Sequence, residues 1–266
     1  MRKRIAGGAR PKWLMAAALV AAAAMPLGAQ GTGNGYLFGV PTGGLTIRAG
    51  WFIASANSDV FDEARQNLTL DKSDFSGPSI GADLAIRLAP QFDLTIDGAW
   101  IGSSQKSHYR TLVDADSKEI EQTTTLRRVP LTANLKAYLV PRGRSVGSLA
   151  YIPAKVVPWV GIGGGITWYK FEQSGDFIVD PADCAATSDA NSCAVFNDRL
   201  ESSTWGPALQ GMGGVNVSLT PRIALTGDAR YLWSKASMSG GNISFQGFDK
   251  IDLSGVSIAL GVTFRL

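Results

Sequence analysis

The sequence predicts an all-β chain folded as an eight-stranded antiparallel transmembrane β-barrel, and three observations predict it. First, Ser79 to Trp100 alternates large apolar with small or charged residues on both sides of a three-residue turn. Ile80, Ala82, Leu84, Ile86 and Leu88 share one face, and Gly81, Asp83, Ala85 and Arg87 share the other, because successive side chains of a strand point to opposite sides. Second, such segments recur about eight times, each near the roughly 9 to 11 residues that cross a bilayer at a tilt, some extending into the loops. Third, the connections between them alternate long and short, as they do when the two ends of a barrel face different compartments.

The first residues, MRKRIAGGARPK, carry Arg2, Lys3, Arg4, Arg10 and Lys12 without an acid, and an alanine-rich apolar run from Trp13 to Met25 follows. This layout predicts a secretory signal peptide over residues 1–29, cut after Ala29, and residues 30–42 are then a periplasmic lead-in to a barrel at 43–266. Losing five positive charges takes the formal net charge from +3 to −2, so the basic balance belongs to the discarded segment and gives no support to nucleic-acid binding. Beyond the signal no apolar run approaches the roughly 18 residues that a membrane helix needs.

The expected strands follow in order. Leu45 to Ile53 turns Ile47, Ala49 and Trp51 outward and Thr46, Arg48 and Gly50 inward. Ser79 to Leu88 and Phe92 to Gly102 form a hairpin, with Phe92, Leu94 and Ile96 outward and Asp93, Thr95 and Asp97 inward. Arg128 to Val140 sets Val129, Leu131, Ala133, Leu135, Ala137 and Leu139 against Arg128, Thr132, Asn134, Lys136 and Tyr138. Pro158 to Tyr169 places Val160, Ile162, Ile166 and Trp168 outward over an inward glycine stripe, Gly161, Gly163 and Gly165, which leaves space inside or lets a bulky neighbour fill it. A sixth strand turns Leu209, Val215, Val217 and Leu219 outward. The seventh turns Ile223, Leu225, Tyr231 and Trp233 outward and Thr226, Asp228 and Arg230 inward. Gly255 to Leu266 closes the series, with Val256, Ile258, Leu260, Val262 and Phe264 opposite Ser257, Ala259, Gly261, Thr263 and Arg265.

The long connections, Ser55 to Gly77, Ser104 to Glu121, Gln173 to Ser202 and Lys235 to Phe248, read as polar. Two short ones nearly repeat: Leu88-Ala89-Pro90-Gln91-Phe92 and Leu219-Thr220-Pro221-Arg222-Ile223, followed at equal offsets by Leu94, Thr95, Asp97 and Leu225, Thr226, Asp228. Duplication of a half-barrel and convergent turn chemistry both account for this. Cys184 and Cys193, the only cysteines, are expected to form a disulfide in an exposed, exported loop. A metal site would need more thiols or histidines nearby, and no metal or cofactor is expected.

The inward sets collect Arg48, Asp83, Arg87, Asp93, Asp97, Arg128, Lys136, Asp228, Arg230 and Arg265, six bases against four acids. A soluble barrel of lipocalin type would alternate too, but it would not need its opposite faces almost free of charge. Hydrocarbon outside explains them, since a charge at mid-bilayer costs about 2 to 4 kcal/mol on a barrel exterior. Trp51, Trp100, Trp168, Trp233 and Phe264 at strand ends fit interfacial girdles.

On Val129-Pro130-Leu131-Thr132-Ala133-Asn134-Leu135-Lys136, Pro158-Trp159-Val160-Gly161-Ile162-Gly163-Gly164-Gly165 and the terminal Gly261-Val262-Thr263-Phe264-Arg265-Leu266, the chain resembles the small outer-membrane β-barrel proteins. That group contains the OmpA-like transmembrane domain and the OmpX- and OmpW-like barrels, and the resemblance covers Gly43 to Leu266. It implies a monomer in the outer membrane of a Gram-negative-type bacterium. The implied partners are outer-membrane lipid and lipopolysaccharide, together with periplasmic chaperones and the barrel-assembly machinery. The family's last residue is usually aromatic; here Leu266 stands in that place, with Phe264 two positions back on the same face.

Some eight-stranded barrels of this kind are lipid-modifying hydrolases with a serine two places after a histidine. His108, the only histidine, is followed at that position by Arg110, and Ser107 and His108 fall on opposite strand faces although Glu119 is near. No catalytic residue is expected. The role expected is structural or one of surface interaction through the loops, the inward charges forming a neutralising plug. A narrow channel for small or hydrophobic solutes is the alternative.

Overall fold

The computed structural model describes residues 37–147, 150–179, 184, 192–238, 245 and 247–266. The expected signal segment, residues 30–36 of the lead-in and parts of the third and fourth long connections lie outside the described residues. The described strands are β1 Leu37–Phe38, β2 Gly43–Ala54, β3 Gly77–Ala89, β4 Phe92–Asp114, β5 Glu119–Tyr138, β6 Gly143–Val146, β7 Ala150–Pro153, β8 Val156–Ile178, β9 Ser192–Cys193, β10 Val195–Ser218, β11 Ile223–Ser237, β12 Lys250–Asp252 and β13 Gly255–Arg265. One helix, α1, spans Asp59–Asn67, and a 3-10 turn spans Lys72–Phe75.

Eight long strands pair antiparallel with their neighbours in the order β2, β3, β4, β5, β8, β10, β11, β13, and β13 pairs back to β2. The register fixes the shape. From Gly44 the paired residues run through Ala85, Thr95, Asn134, Gly163, Gln210, Leu232 and Gly255 and return to β2 at Ala54. The offset from position 44 to position 54 is a shear of 10 residues. With eight strands this tilts them by about 40° and leaves a lumen that side chains can fill.

Inside-outside alternation follows the period of two. Thr46 and Arg48 on β2, Asp83 on β3, Asp97 on β4, Lys136 on β5 and Asp228 on β11 are buried, whereas Ile47, Leu84, Ile96, Leu135, Ile162, Leu209 and Leu260 are exposed. Unfavourable in water, this exterior is what hydrocarbon requires. Trp51, Trp100, Trp205 and Trp233 are exposed above it, and Trp205 pairs across the ladder with Trp168. They form the aromatic girdle of the end that carries the long connections. Trp205 belongs to that ring although only its partner is legible as a strand-end aromatic.

Four expectations are corrected. Strands β4, β5, β8 and β10 run 23, 20, 23 and 24 residues, well past the apolar band, so the second and third long connections are mostly strand. Thr123, Thr124 and Thr125 pair with β4 and β8 there; with both faces polar, hydropathy alternation fades while the backbone ladder continues.

The first long connection is not simply polar. It carries α1, whose Val60, Phe61 and Ala64 are buried, and Leu68, Leu70 and Phe75 are buried with them. These pack against Phe52, Leu126, Tyr169, Phe171 and Ile251 as one apolar cluster at the long-loop end. Phe61 lies 4.5 Å from Phe75 and 6.1 Å from Phe171 between ring centroids. Tertiary burial, not intrinsic propensity, holds a helix of only nine residues.

The Cys184–Cys193 disulfide is formed, but it is buried rather than exposed. Both cysteines pack on Ile120, and Ser192 and Cys193 pair with Val113 and Asp114 of β4. At the opposite end the connection between β5 and β8, from Pro141 to Lys155, folds with the lead-in into a small sheet, in which Leu37 pairs with Tyr151 and Gly143 with Pro153.

The glycine stripe holds no spare room. A Cβ on Gly163 would collide with the Ala133 carbonyl, and one on Gly165 with the Leu131 carbonyl. Glycine lets β8 bend close to β5 at the tight curvature of a small ring.

Two outcomes are expected. Ile96→Arg, in the middle of the exterior band, should cost about 2 to 4 kcal/mol in reversible unfolding from lipid bilayers, and Ile96→Val under about 1.5 kcal/mol. Cys184→Ser should lower stability by about 2 to 3 kcal/mol, the chain-entropy value for a loop of this size. Limited proteolysis of that variant should then cut near residue 193 before any site in the ring.

Candidate functional site

The lumen holds the chain's concentration of charge, arranged at three levels. At the middle level five side chains from four strands meet. Arg48 of β2 donates through Nη1 to Asp83 Oδ2 at 2.9 Å and through Nη2 to Asp97 Oδ2 at 2.6 Å. Arg230 of β11 donates through Nη2 to Asp83 Oδ2 at 3.1 Å, through Nε to Asp228 Oδ1 at 2.7 Å and through Nη1 to Asp97. All five residues are buried. Asp83 and Asp97 stand opposite one another on β3 and β4, a repulsive pairing by itself; two guanidinium forks between them turn repulsion into a closed network.

At the long-loop level Arg128 is fully enclosed. Its Nη1 donates to the Phe75 carbonyl at 3.2 Å, its guanidinium lies 5.0 Å from the Phe52 ring centroid, and Nε and Nη2 have no partner among the described residues. It is thus tied to the apolar cluster above and stands apart from the middle network.

At the turn level Asp93 accepts from Arg142 Nη1 at 2.7 Å and from the Tyr138 hydroxyl at 2.8 Å. Lys136 lies with its ammonium 3.7 Å from the Trp159 ring centroid, a cation–π contact. Arg87 donates to the Pro41 carbonyl at 3.3 Å rather than to a carboxylate of the middle level. Arg265 donates to the Pro221 carbonyl at 2.9 Å and to the Ser218 hydroxyl at 2.6 Å.

The ten inward charges read from the alternation therefore fall into three groups. Arg142 joins them unread, because it comes from a connection where no strand periodicity operates; its signal is position, a base four residues past Tyr138 at the mouth of the ring.

The lumen is polar and the exterior apolar, the reverse of a water-soluble barrel. The chain is a transmembrane β-barrel. No helix among the described residues is long and apolar enough to cross a membrane, so the strands do the crossing. No protein-family model matches the barrel's sequence, and none of the curated proteins matches it. Among solved structures, it is similar to Neisserial surface protein A at 12% identity, over 88% of this chain and 98% of that one, with a TM-score of 0.42. It is similar to the outer membrane protein OprG from Pseudomonas aeruginosa at 13% identity, over 86% and 99% of the two chains, with a TM-score of 0.43. The attachment invasion locus protein of Yersinia pestis is similar at 11% identity, over 84% and 99%, with a TM-score of 0.39.

The arrangement around His108 assembles no nucleophile. Ser107 is buried and its hydroxyl donates to the Gln122 carbonyl at 3.5 Å, whereas His108 Nδ1 faces Glu119 Oε2 at 3.6 Å on the exposed side. Among the described residues no group of three or more His, Cys, Asp or Glu is placed to hold a metal ion.

Asp97 touches both guanidiniums of the middle level. Asp97→Ala should cost about 3 to 5 kcal/mol in unfolding, the penalty for leaving buried cations short of a partner. Arg128→Met should instead be neutral or stabilising, because that guanidinium leaves most of its donors unpaired. Denaturant unfolding of the refolded barrel in micelles measures both.

Proposed function

We propose that the chain is an outer-membrane barrel with an obstructed lumen that works through the surface its long-loop end carries outside the cell. The observation that carries this reading is the pairing of obstruction with projection. Three successive levels fill the lumen: the α1 cluster, the Arg48–Asp83–Asp97–Asp228–Arg230 network and the Lys136–Trp159 level. Meanwhile β4, β5, β8 and β10 extend as a continuous sheet beyond the girdle. Rigid projecting strands present side chains to a partner at low entropic cost, which loops of the same length do not.

The projecting sheet bears charge of both signs. Lys170 pairs with Glu172 at 3.2 Å and with Glu201 at 2.9 Å, and Arg199 joins Glu172. Such ladders keep an edge strand soluble and guard it against indiscriminate pairing. The partners this reading supplies are lipopolysaccharide and surface ligands meeting the sheet; the hydrolase reading gains nothing from His108.

A narrow channel is the second reading. The unpartnered Arg128 Nε and Nη2 and Asp228 Oδ2 favour it, since buried polar atoms of this kind commonly meet water. Single-channel recording separates the two. The obstructed barrel should show no steady ion conductance in a planar bilayer, and Phe61→Ala with Phe75→Ala should leave it silent because the middle network still closes the lumen. Steady conductance that Asp97→Ala, Asp228→Ala alters, with stability kept, would establish the channel instead.

A further inference from the structure

Between the middle network and the turn end, the lumen contains a cavity of about 50 Å³, room for a few waters or one tetrahedral oxyanion. Its wall sets four cations, Arg87, Lys136, Arg142 and Arg265, against two carboxylates, Asp83 and Asp93. Lys136 is buried and its ammonium, against the Trp159 ring, has neither a hydrogen bond nor an ion pair among the described residues. Asn216 points its Oδ1 away, accepting from Trp159 Nε1 at 3.0 Å and from the Thr226 hydroxyl at 3.1 Å, which leaves its amide N–H groups to donate. Arg87 and Arg265 line the same space and are held only by carbonyl and hydroxyl oxygens.

The charge balance agrees. The middle level sets two guanidiniums against three carboxylates, and Lys136 offsets that surplus. With Asp83 already counted in the middle level, Arg87, Arg142 and Arg265 are balanced only by Asp93, which Arg142 holds at 2.7 Å. Two positive charges remain around the cavity. The Leu266 main-chain oxygen accepts from the Thr42 and Gly43 amides and stands outside the lining. Buried cations without counter-charge are costly, and guanidinium forks match tetrahedral oxyanions.

We propose that this cavity binds a phosphate-type oxyanion, with Lys136 and Asn216 as its inner contacts and Arg87 and Arg265 at its rim. The site does not depend on what the projecting sheet recognises. Either free phosphate or the phosphate of a lipid headgroup at the membrane's inner face would supply the same chemistry.

The test uses the full chain refolded in a phosphate-free detergent, titrated with inorganic phosphate at constant low ionic strength balanced with chloride. Binding is read from phosphorus line broadening and from the unfolding midpoint. Saturable binding is expected, weakened about tenfold or more by Lys136→Met, as loss of one charged hydrogen-bond partner implies. Arg265→Gln should weaken it comparably, and it carries the test if Lys136→Met does not refold. Arg127→Gln, on the outward face of β5, should leave affinity unchanged. Absence of saturation in the unaltered chain, or equal weakening by Arg127→Gln, would overturn the site. Phosphatidylglycerol added to the micelles identifies the source: competition with inorganic phosphate supports a headgroup ligand, and its absence supports the free anion.

Discussion

Eight strands closed at a shear of ten enclose a space only as wide as the side chains that reach across it, and in this chain many of those side chains are charged. From that constraint the rest follows. A residue on β2 and one on β11 can touch the same carboxylate, as Arg48 and Arg230 do at Asp97, because no water layer fits between the walls. In a wider ring these groups would be solvated and nearly independent. Here each must find a partner across the lumen, so the network braces the ring from within while the backbone ladder closes it from without.

The same narrowness divides labour along the axis. Charge occupies the middle, where strands from all sides converge. Toward the long loops the wall residues become Phe52, Leu126, Tyr169 and Phe171, and α1 drops Val60 and Phe61 among them. The apolar cluster above a charged network needs no lipid to be stable, since it is an ordinary core built where the ring emerges from the membrane. Four strands of the ring prolong that core outward, and the disulfide fastens the third long connection to β4 and Ile120. The projecting part is thus folded continuously with the barrel.

How much of this the chain's letters disclose depends on whether one face differs from the other. Asp83, Asp97, Arg48 and Asp228 are legible as lumen residues because each alternates with an apolar neighbour against lipid. Their grouping into three levels is not, since pairing across the ring depends on register and shear, which no single strand contains. Thr123 to Thr125 hide a strand because both of its faces are polar. Arg142 hides in a turn. The helix is too short, and Phe61 and Phe75 too scattered, for periodicity to show that they share one core. Gly163 and Gly165 are visible, but the open-space reading of their stripe, one of the two it offers, reverses: carbonyls of β5 stand where a Cβ would be.

That reversal bears on what the lumen can do. If the glycines made room, the wall of β8 would be the natural path for a solute, and Lys136 and Asp228 would be its lining. With β5 pressed against β8 at Gly163 and Gly165, room is found instead toward the turn end, beside Lys136 and Asn216 and beneath the middle network. On the proposed reading of an obstructed lumen, a pocket open at one end and braced at the other holds a ligand rather than passing it. For a solute to cross, Arg48 and Arg230 would have to release Asp97 together. That pairing would then be the gate, and the proposed obstructed barrel keeps it closed.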